Sequence, residues 1–162
     1  MRRGDGPVVF PLEVGSARGL LGSVISFEGA FARYMRAEVK AGAQLLVVAT
    51  NEGSYGESPA SDQLIGLVRM SAVSLGVDVV HVAVTGKSTI IRANGSIGKT
   101  TELFTRDLLT GVVNFQAAPR TLYAVLGDWV QLLMIFGALG VAVATIAGRS
   151  SRDFSIRPGV RR

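Results

Sequence analysis

Six side chains that could bind or react stand in two short groups, each directly after an apolar run. They are Ser26, Phe27, Glu28, Asn51, Glu52 and Tyr55. The hydroxyl and carboxyl groups among them can act as nucleophiles, general acids or general bases. Ser26 can equally be a small polar residue at a turn, and Glu28 can begin a helix, where the dipole favours an acidic side chain. Both interpretations stay open on spacing alone.

Three other motifs predict structure rather than chemistry. The segment TGKST at 85–89 matches the end of a phosphate-binding loop, but the required glycine five positions before Gly86 is His81, so a hairpin connection is predicted. Asn94-Gly95-Ser96 fits a glycosylation sequon and, better, a hairpin turn. His81 alternates with valines, which predicts a satisfied histidine within a strand.

Composition excludes several classes of protein. With 0 Cys and 1 His, the chain cannot be a thiol enzyme, a disulfide scaffold or a thiolate or imidazole metal site, so we expect neither metal nor cofactor. Hydrophobic residues make up 48% of the chain, which excludes a disordered protein. The net charge of +5 comes mostly from arginines after Gly148, so no nucleic-acid-binding face is predicted.

The residues from 20 to 116 are predicted to form an α/β domain that positions both groups. Apolar runs predict strands at 20–28, 43–50, 77–84, 88–93 and 107–115. One helix is predicted at 29–41, and a second runs from Ser58 and Pro59, which suit its start, to Gly76. Residues 1–19 are predicted to be irregular, and 117–128 to be a connector.

The segment from Trp129 to Ala147 is predicted to be a transmembrane helix. It has 19 residues without a charge, and at about 1.5 Å per residue it spans roughly the hydrocarbon thickness of a bilayer. The tail at 148–162 carries the arginine excess, which places it in the cytoplasm by the positive-inside rule. We therefore expect a cell-membrane protein whose body is extracytoplasmic. A buried hairpin of a soluble protein is the alternative.

The order of several segments resembles a known family. S-F-E at 26–28 is followed by ATNEGSYG, SPASDQLIGLVRMSAVSLG, TGKSTIIRANGSIG, FTRDLLT, TLYAVLGDW and a terminal span. From residue 20 to residue 149 this order resembles the C-terminal half of the apolipoprotein N-acyltransferases, a membrane branch of the nitrilase, or carbon-nitrogen hydrolase, superfamily. The resemblance implies a partial nitrilase-like αββα sandwich followed by one transmembrane helix.

The resemblance also implies an activity, acyl transfer from a phospholipid to the N-terminal amine of diacylglyceryl-cysteine lipoproteins. In the family a cysteine nucleophile works with a glutamate base and a lysine. Ser26 occupies the cysteine position here, and the glutamate and lysine, which would precede it, have no match in residues 1–25. Phe27, Asn51, Glu52 and Tyr55 would then touch substrate beside Glu28. We therefore expect a truncated or inactive form of the enzyme.

Two other functions stay open. The chain could be a non-catalytic membrane-anchored module that partners a full-length paralogue or a lipid-linked glycosyltransferase, or, more remotely, an amidase that uses Ser26. Half of a sandwich would leave an apolar sheet face uncovered, so a protein partner over that face is expected. If the chain is active, its other partners are a membrane phospholipid and a lipoprotein N-terminus.

Overall fold

The computed structural model describes residues 6–116 and 121–154. The chain divides into two units, of which the first ends at Gly127 and the second begins at Asp128.

The first unit is a six-stranded sheet with helices on one face. Its elements are β1 (Val9–Val14), β2 (Ala17–Ile25), α1 (Ala32–Lys40), β3 (Leu45–Thr50), α2 (Ala60–Leu75), β4 (Asp78–Ala83), β5 (Thr89–Ile91), β6 (Ile97–Thr100) and α3 (Leu122–Leu126). The strands lie in sequence order. β2, β3 and β4 are parallel, and the other neighbouring pairs are antiparallel. The parallel centre predicts a site at its carboxyl edge.

The core lies between the centre of the sheet and the two long helices. Alternate strand residues, Val24, Leu46, Val48 and Val79, are buried on the helix side. The helices contribute Met35, Val39, Leu64, Val68, Ala72 and Leu75. Because side chains of a strand alternate between faces, this burial fixes the register of all three parallel strands.

The other face of the sheet is open over its carboxyl half. Ile25 pairs with Ala49, and Ala49 with Val82. Ile25 is 67% exposed and Val82 is 45% exposed. Towards the other end, the segment after β6 covers the sheet, with Gly111 against Ile90 and Phe115 against Gly19. An apolar strip beside the carboxyl edge therefore faces solvent.

Two predictions for the first unit are wrong. Residues 1–19, predicted to be irregular, contain β1 and the start of β2, which form a hairpin about Gly15, a glycine with φ of 61°. The strand contains Pro11, which β1 tolerates because it lies at the edge of the sheet. Residues 107–115, predicted to be a strand, form none, and Leu108 and Val112 are mostly exposed.

Boundaries also shift at the first candidate group. The predicted strand 20–28 ends at Ile25, a 3₁₀ turn occupies Ser26–Ala30, and α1 begins only at Ala32. The second helix ends as predicted, at Gly76 in the left-handed conformation with φ of 70°. Its start is one residue later than Pro59, and Ser58 Oγ accepts the N–H of Ala60.

The second unit contains α4 (Trp129–Phe154). Its window Trp129–Ile146 has a mean hydropathy of 2.1 and is long and apolar enough to cross a membrane. The helix continues past the predicted end of the span at 147 and into the arginine-rich segment.

The predicted connector 117–128 includes α3, while 117–120 and the tail residues 155–162 lie outside the described residues.

Candidate functional site

Both groups of candidate residues lie at the carboxyl edge of the parallel strands. Ser26 follows β2, Asn51 follows β3, and the loop from Val84 follows β4. Parallel strands bring their carboxyl ends to one edge, which is where ligands bind in open α/β sheets. The fold thus brings to one edge two groups of residues that are far apart in the sequence.

Ser26 stands on a strained turn. It is exposed and has a φ of 54°, a left-handed conformation that costs a non-glycine residue roughly 1–2 kcal/mol. The 3₁₀ turn that follows is held by the N–H of Phe31, which donates to the carbonyl oxygen of Glu28 at 3.0 Å. Beneath it, Gly29 packs so closely on Val48 that a Cβ would lie 2.7 Å from Cγ1. Such strain is concentrated at functional sites, and here it presents a hydroxyl at the sheet edge.

Glu28 holds this turn in place. Its Oε2 accepts the N–H of Ile25 at 3.0 Å. The contact supports the interpretation that the side chain begins a helical turn, although the exposed carboxylate also borders an open cleft of about 580 Å³. That cleft is lined in part by Phe10, Ser23 and Ile25.

Glu38 is a second carboxylate in the cleft, which sequence reasoning missed. It is only 7% exposed, and its Oε2 has no hydrogen-bond partner within the described residues. Burial raises the pKa of this carboxyl above its usual range, and the charge of Glu28 adds to the effect. The sequence gives no signal for it beyond its place on the inner face of α1.

Phe27 belongs to an exposed aromatic cluster. It is 55% exposed and meets Phe31 edge to face at 5.4 Å. Phe31 meets Tyr34 in the same way, and the guanidinium of Arg33 lies over both of those rings. An exposed apolar side chain beside Ser26 can contact a hydrophobic substrate.

In the loop after β3, Asn51 and Tyr55 are exposed. Asn51 Oδ1 accepts the N–H of Gly53 at 3.1 Å and the hydroxyl of Thr85 at 3.2 Å. The amide therefore ties this loop to the loop after β4. Tyr55 ends the short 3₁₀ turn Gly53–Tyr55 and is 38% exposed, so its ring is open to a ligand.

Glu52, by contrast, lies inside. It is 2% exposed, and its Oε1 lies 3.3 Å from Nε2 of His81. A Cβ on Gly86 would come within 2.0 Å of Glu52 Oε2. The Glu52 side chain thus packs directly against the loop after β4 and supports the carboxyl edge of the parallel strands.

His81 is a buried neutral partner of Glu52. It is fully buried, and burial lowers the pKa of its imidazole below the usual range, although the carboxylate of Glu52 opposes the shift. With that partner, the neutral ring donates its Nε2–H to Glu52. Its Nδ1 and Glu52 Oε2 have no hydrogen-bond partner within residues 6–116 and 121–154. His81 lies in a strand as predicted, but only one of its ring nitrogens has a partner within the described residues, and nothing in the sequence pointed to its pairing with Glu52.

The loop at 85–89 connects two antiparallel strands, as predicted. Lys87 Nζ lies 2.8 Å from Asp62 Oδ1, and the N–H of Lys87 donates to Ser61 Oγ at 2.9 Å. The lysine is thus bound to the start of α2 and does not point into a phosphate loop. Asn94 and Gly95 form the predicted turn, in which the N–H of Gly95 donates to the carbonyl oxygen of Arg92. Among the described residues, no group of three or more His, Asp or Glu could hold a metal ion.

Comparison with known proteins identifies the family. The family model of the carbon-nitrogen hydrolases matches residues 1–121. The chain is 34% identical over 135 residues to an apolipoprotein N-acyltransferase of Geobacter metallireducens, covering 83% of this chain and 26% of that protein. It is 36% identical over 135 residues to one of Gloeobacter violaceus, covering 82% and 24%. The chain therefore spans about a quarter of the length of these curated relatives.

A solved structure supports the predicted fold. A cysteine-to-alanine variant of an amidase of the nitrilase superfamily from Nesterenkonia AN1 matches with a TM-score of 0.51 at 19% identity, over 64% of this chain and 40% of that one. The prediction of a nitrilase-like α/β fold is thus confirmed. The chain itself contains no cysteine. It belongs to the carbon-nitrogen hydrolase family and, within it, is similar to the apolipoprotein N-acyltransferases.

Proposed function

We propose that this chain supplies the nucleophile-position half of an apolipoprotein N-acyltransferase-type domain, and that its own residues do not complete the acyl transfer. The observation that carries the proposal is Ser26, held at a φ of 54° between a parallel strand and a helical turn. The loops after β3 and β4 lie at the same edge of the sheet. This is the arrangement that presents a nucleophile to a bound substrate.

The inactivity follows from the chemistry of the hydroxyl. A serine needs a well-placed base, because its hydroxyl is much less acidic than a thiol. Glu28 already binds the N–H of Ile25, and Glu52 is buried against His81. Glu38 is buried with its pKa raised. Glu28 and Glu52 are therefore already engaged, and Glu38 lies in a cleft whose lining does not include Ser26.

The exposed strip on the sheet supports a covering partner. Ile25 is 67% exposed and Val82 is 45% exposed on this strip, and Phe10, which pairs with Leu21 on the neighbouring β1, is 50% exposed. We propose that a complementary half, which carries the glutamate base and the lysine, packs on this strip and completes the cleft beside Glu28. The same strip favours the second candidate function, a non-catalytic module that binds a full-length paralogue or a lipid-linked glycosyltransferase.

We also propose that α4 anchors the chain in the cell membrane. Its apolar window supports a span, and the arginines after Gly148 support a cytoplasmic position for the tail. The first unit would then lie on the extracytoplasmic side. There it would meet the phospholipid and the lipoprotein N-terminus on which an acyltransferase of this type acts.

Acyl capture by an introduced thiol tests the proposal. The full chain is reconstituted in vesicles with a labelled phospholipid, alone or with the N-terminal portion of the Geobacter metallireducens relative. Variants are Ser26→Cys and, as a matched control, Ser54→Cys, which places a thiol at an exposed serine of the neighbouring loop. We expect a labelled thioester only on Ser26→Cys and only with the added portion.

Two outcomes would contradict the proposal in different ways. An acyl ester on Ser26 in the unaltered chain alone would show that the chain is active without a second half. No adduct on Ser26→Cys, although the two portions form a stable complex, would refute the acyl-transfer role and favour the non-catalytic module.

A further inference from the structure

The short helix α3 exposes apolar side chains in the part of the first unit that precedes α4. Leu122 is 76% exposed, Val125 is 53% exposed and Leu126 is 43% exposed. We call these three residues the α3 ridge. Ala124 of the same helix is fully buried in the core. The helix is therefore apolar on both sides, with Ala124 in the core and the ridge exposed.

Specific hydrogen bonds hold the ridge in this orientation. Arg36 Nε donates to the carbonyl oxygens of Tyr123 at 3.0 Å and Ala124 at 3.1 Å, and its Nη2 donates to that of Val125 at 2.6 Å. Thr121 caps the start of the helix and donates its hydroxyl to the carbonyl oxygen of Ser74 on α2. These hydrogen bonds fix the orientation of an exposed apolar surface, and exposed apolar surfaces commonly mark interaction sites.

Positive charge lies beside the ridge. Arg33, Arg36 and Lys40 are spaced three and four residues apart on α1, so they share one face of that helix. α1 packs against α3, and Arg36 joins the two helices directly. Arg33 and Lys40 are exposed. We call these three residues the basic face of α1.

Chain connectivity identifies what covers the ridge. Leu126 precedes Trp129 by three residues, and so short a connection reaches at most about 10 Å. Trp129 begins the apolar window of α4. The chain length alone therefore keeps Leu126 within about 10 Å of the first residue of this window. Exposed apolar side chains beside basic residues of a neighbouring helix can lie together in a membrane interface, where apolar burial and attraction to anionic lipids add.

We propose that the α3 ridge and the basic face of α1 lie on the surface of a lipid bilayer, with the apolar side chains among the headgroups and the cations near anionic lipids. This rests on the membrane anchoring proposed above. The contact would set the height and orientation of the first unit over the membrane, because Arg36 and Thr121 fix α3 to α1 and α2.

The absence of native cysteine allows a direct test. The full chain is reconstituted in vesicles that contain an anionic lipid, with an environment-sensitive fluorophore on Leu122→Cys or on Val112→Cys. Val112 is a matched control because it is 72% exposed and lies in the segment over the opposite face of the sheet. We expect brominated lipids to quench the label at position 122 and iodide to reach it poorly, with the opposite pattern at position 112.

Charge reversal tests the basic face. Arg33→Glu with Lys40→Glu should reduce lipid quenching at position 122 in anionic vesicles, whereas Lys99→Glu, an exposed cation on β6, should leave it unchanged. If the chain remains with the vesicles and iodide reaches positions 122 and 112 equally, the ridge is not at the interface, although the anchoring stands. If the chain does not float with the vesicles at all, both the anchoring and the ridge contact are refuted.

Discussion

Replacing Gly86 by alanine should destabilise the first unit more than its small size suggests. The added Cβ would lie 2.0 Å from Glu52 Oε2 and 2.5 Å from its Cδ. Glu52 cannot swing into solvent without leaving its buried position beside His81. Overpacking of this kind, together with a lost buried hydrogen bond, costs about 2–4 kcal/mol of unfolding free energy.

A glycine elsewhere in the same unit is the matched control. Gly66 lies in α2, and a Cβ there would meet nothing within 4 Å. Gly66→Ala should therefore stabilise the unit by about 0.5–1 kcal/mol, since alanine is the better helix former. In a Glu52→Ala background most of the cost of Gly86→Ala should vanish, because the side chain that it strikes is gone.

Urea unfolding of the full chain in detergent micelles, with hydrogen exchange of the β3 and β4 amides, measures these effects. The exchange localises any loss of protection to the two strands that Glu52 and His81 join. If Gly86→Ala were as stable as Gly66→Ala, or if its cost persisted in the Glu52→Ala background, Glu52 would not support the loop after β4 as described.

Three further predictions concern other parts of the first unit. His81 has a lowered pKa, so its neutral form contributes stability that is complete above the ordinary value of 6.5 and is lost as the pH falls below it. The free energy of unfolding, measured from pH 8 to pH 5, should therefore decrease as the pH falls. His81→Gln should make this decrease smaller. Asp78 is 1% exposed and accepts hydrogen bonds from Arg92, the N–H of Ala93 and the N–H of Asn114; thermal unfolding should show that Asp78→Ala costs about 2–4 kcal/mol, and an unchanged midpoint would contradict that role. Ser26→Gly should stabilise the unit by about 1 kcal/mol in urea titrations because it relieves the positive φ, whereas Ser23→Gly in the extended β2 should not.

The sequence predicted the elements whose pattern is local. The continuous apolar run of β3 and the proline and glycine boundaries of α2 lead directly to the observed elements. β1 was missed because a short edge strand with a proline is defined by its pairing with β2, which is not local. Residues 107–115 were mispredicted for the converse reason, since an apolar run forms a strand only where a neighbouring strand is free to pair with it.

Which residues form the site stays a prediction, and the contacts that these residues make could not be predicted from the sequence. The resemblance to the N-acyltransferases pointed to Ser26, Glu28 and the loop at 51–55, and the fold brings these segments to one edge. That Glu52 turns inward to His81, 29 positions away, depends on the register of β3 against β4. The strain at Ser26 is likewise a property of the backbone conformation, which the residue type does not predict.

We propose that Ser26 occupies the nucleophile position of an acyltransferase half-domain. The most direct test is the intact mass of Ser26→Cys after incubation with phospholipid vesicles and the complementary portion of a relative. We predict a gain of one acyl chain that hydroxylamine removes, as it does from a thioester. An unchanged mass in a sample where both portions are folded and associated would contradict the claim.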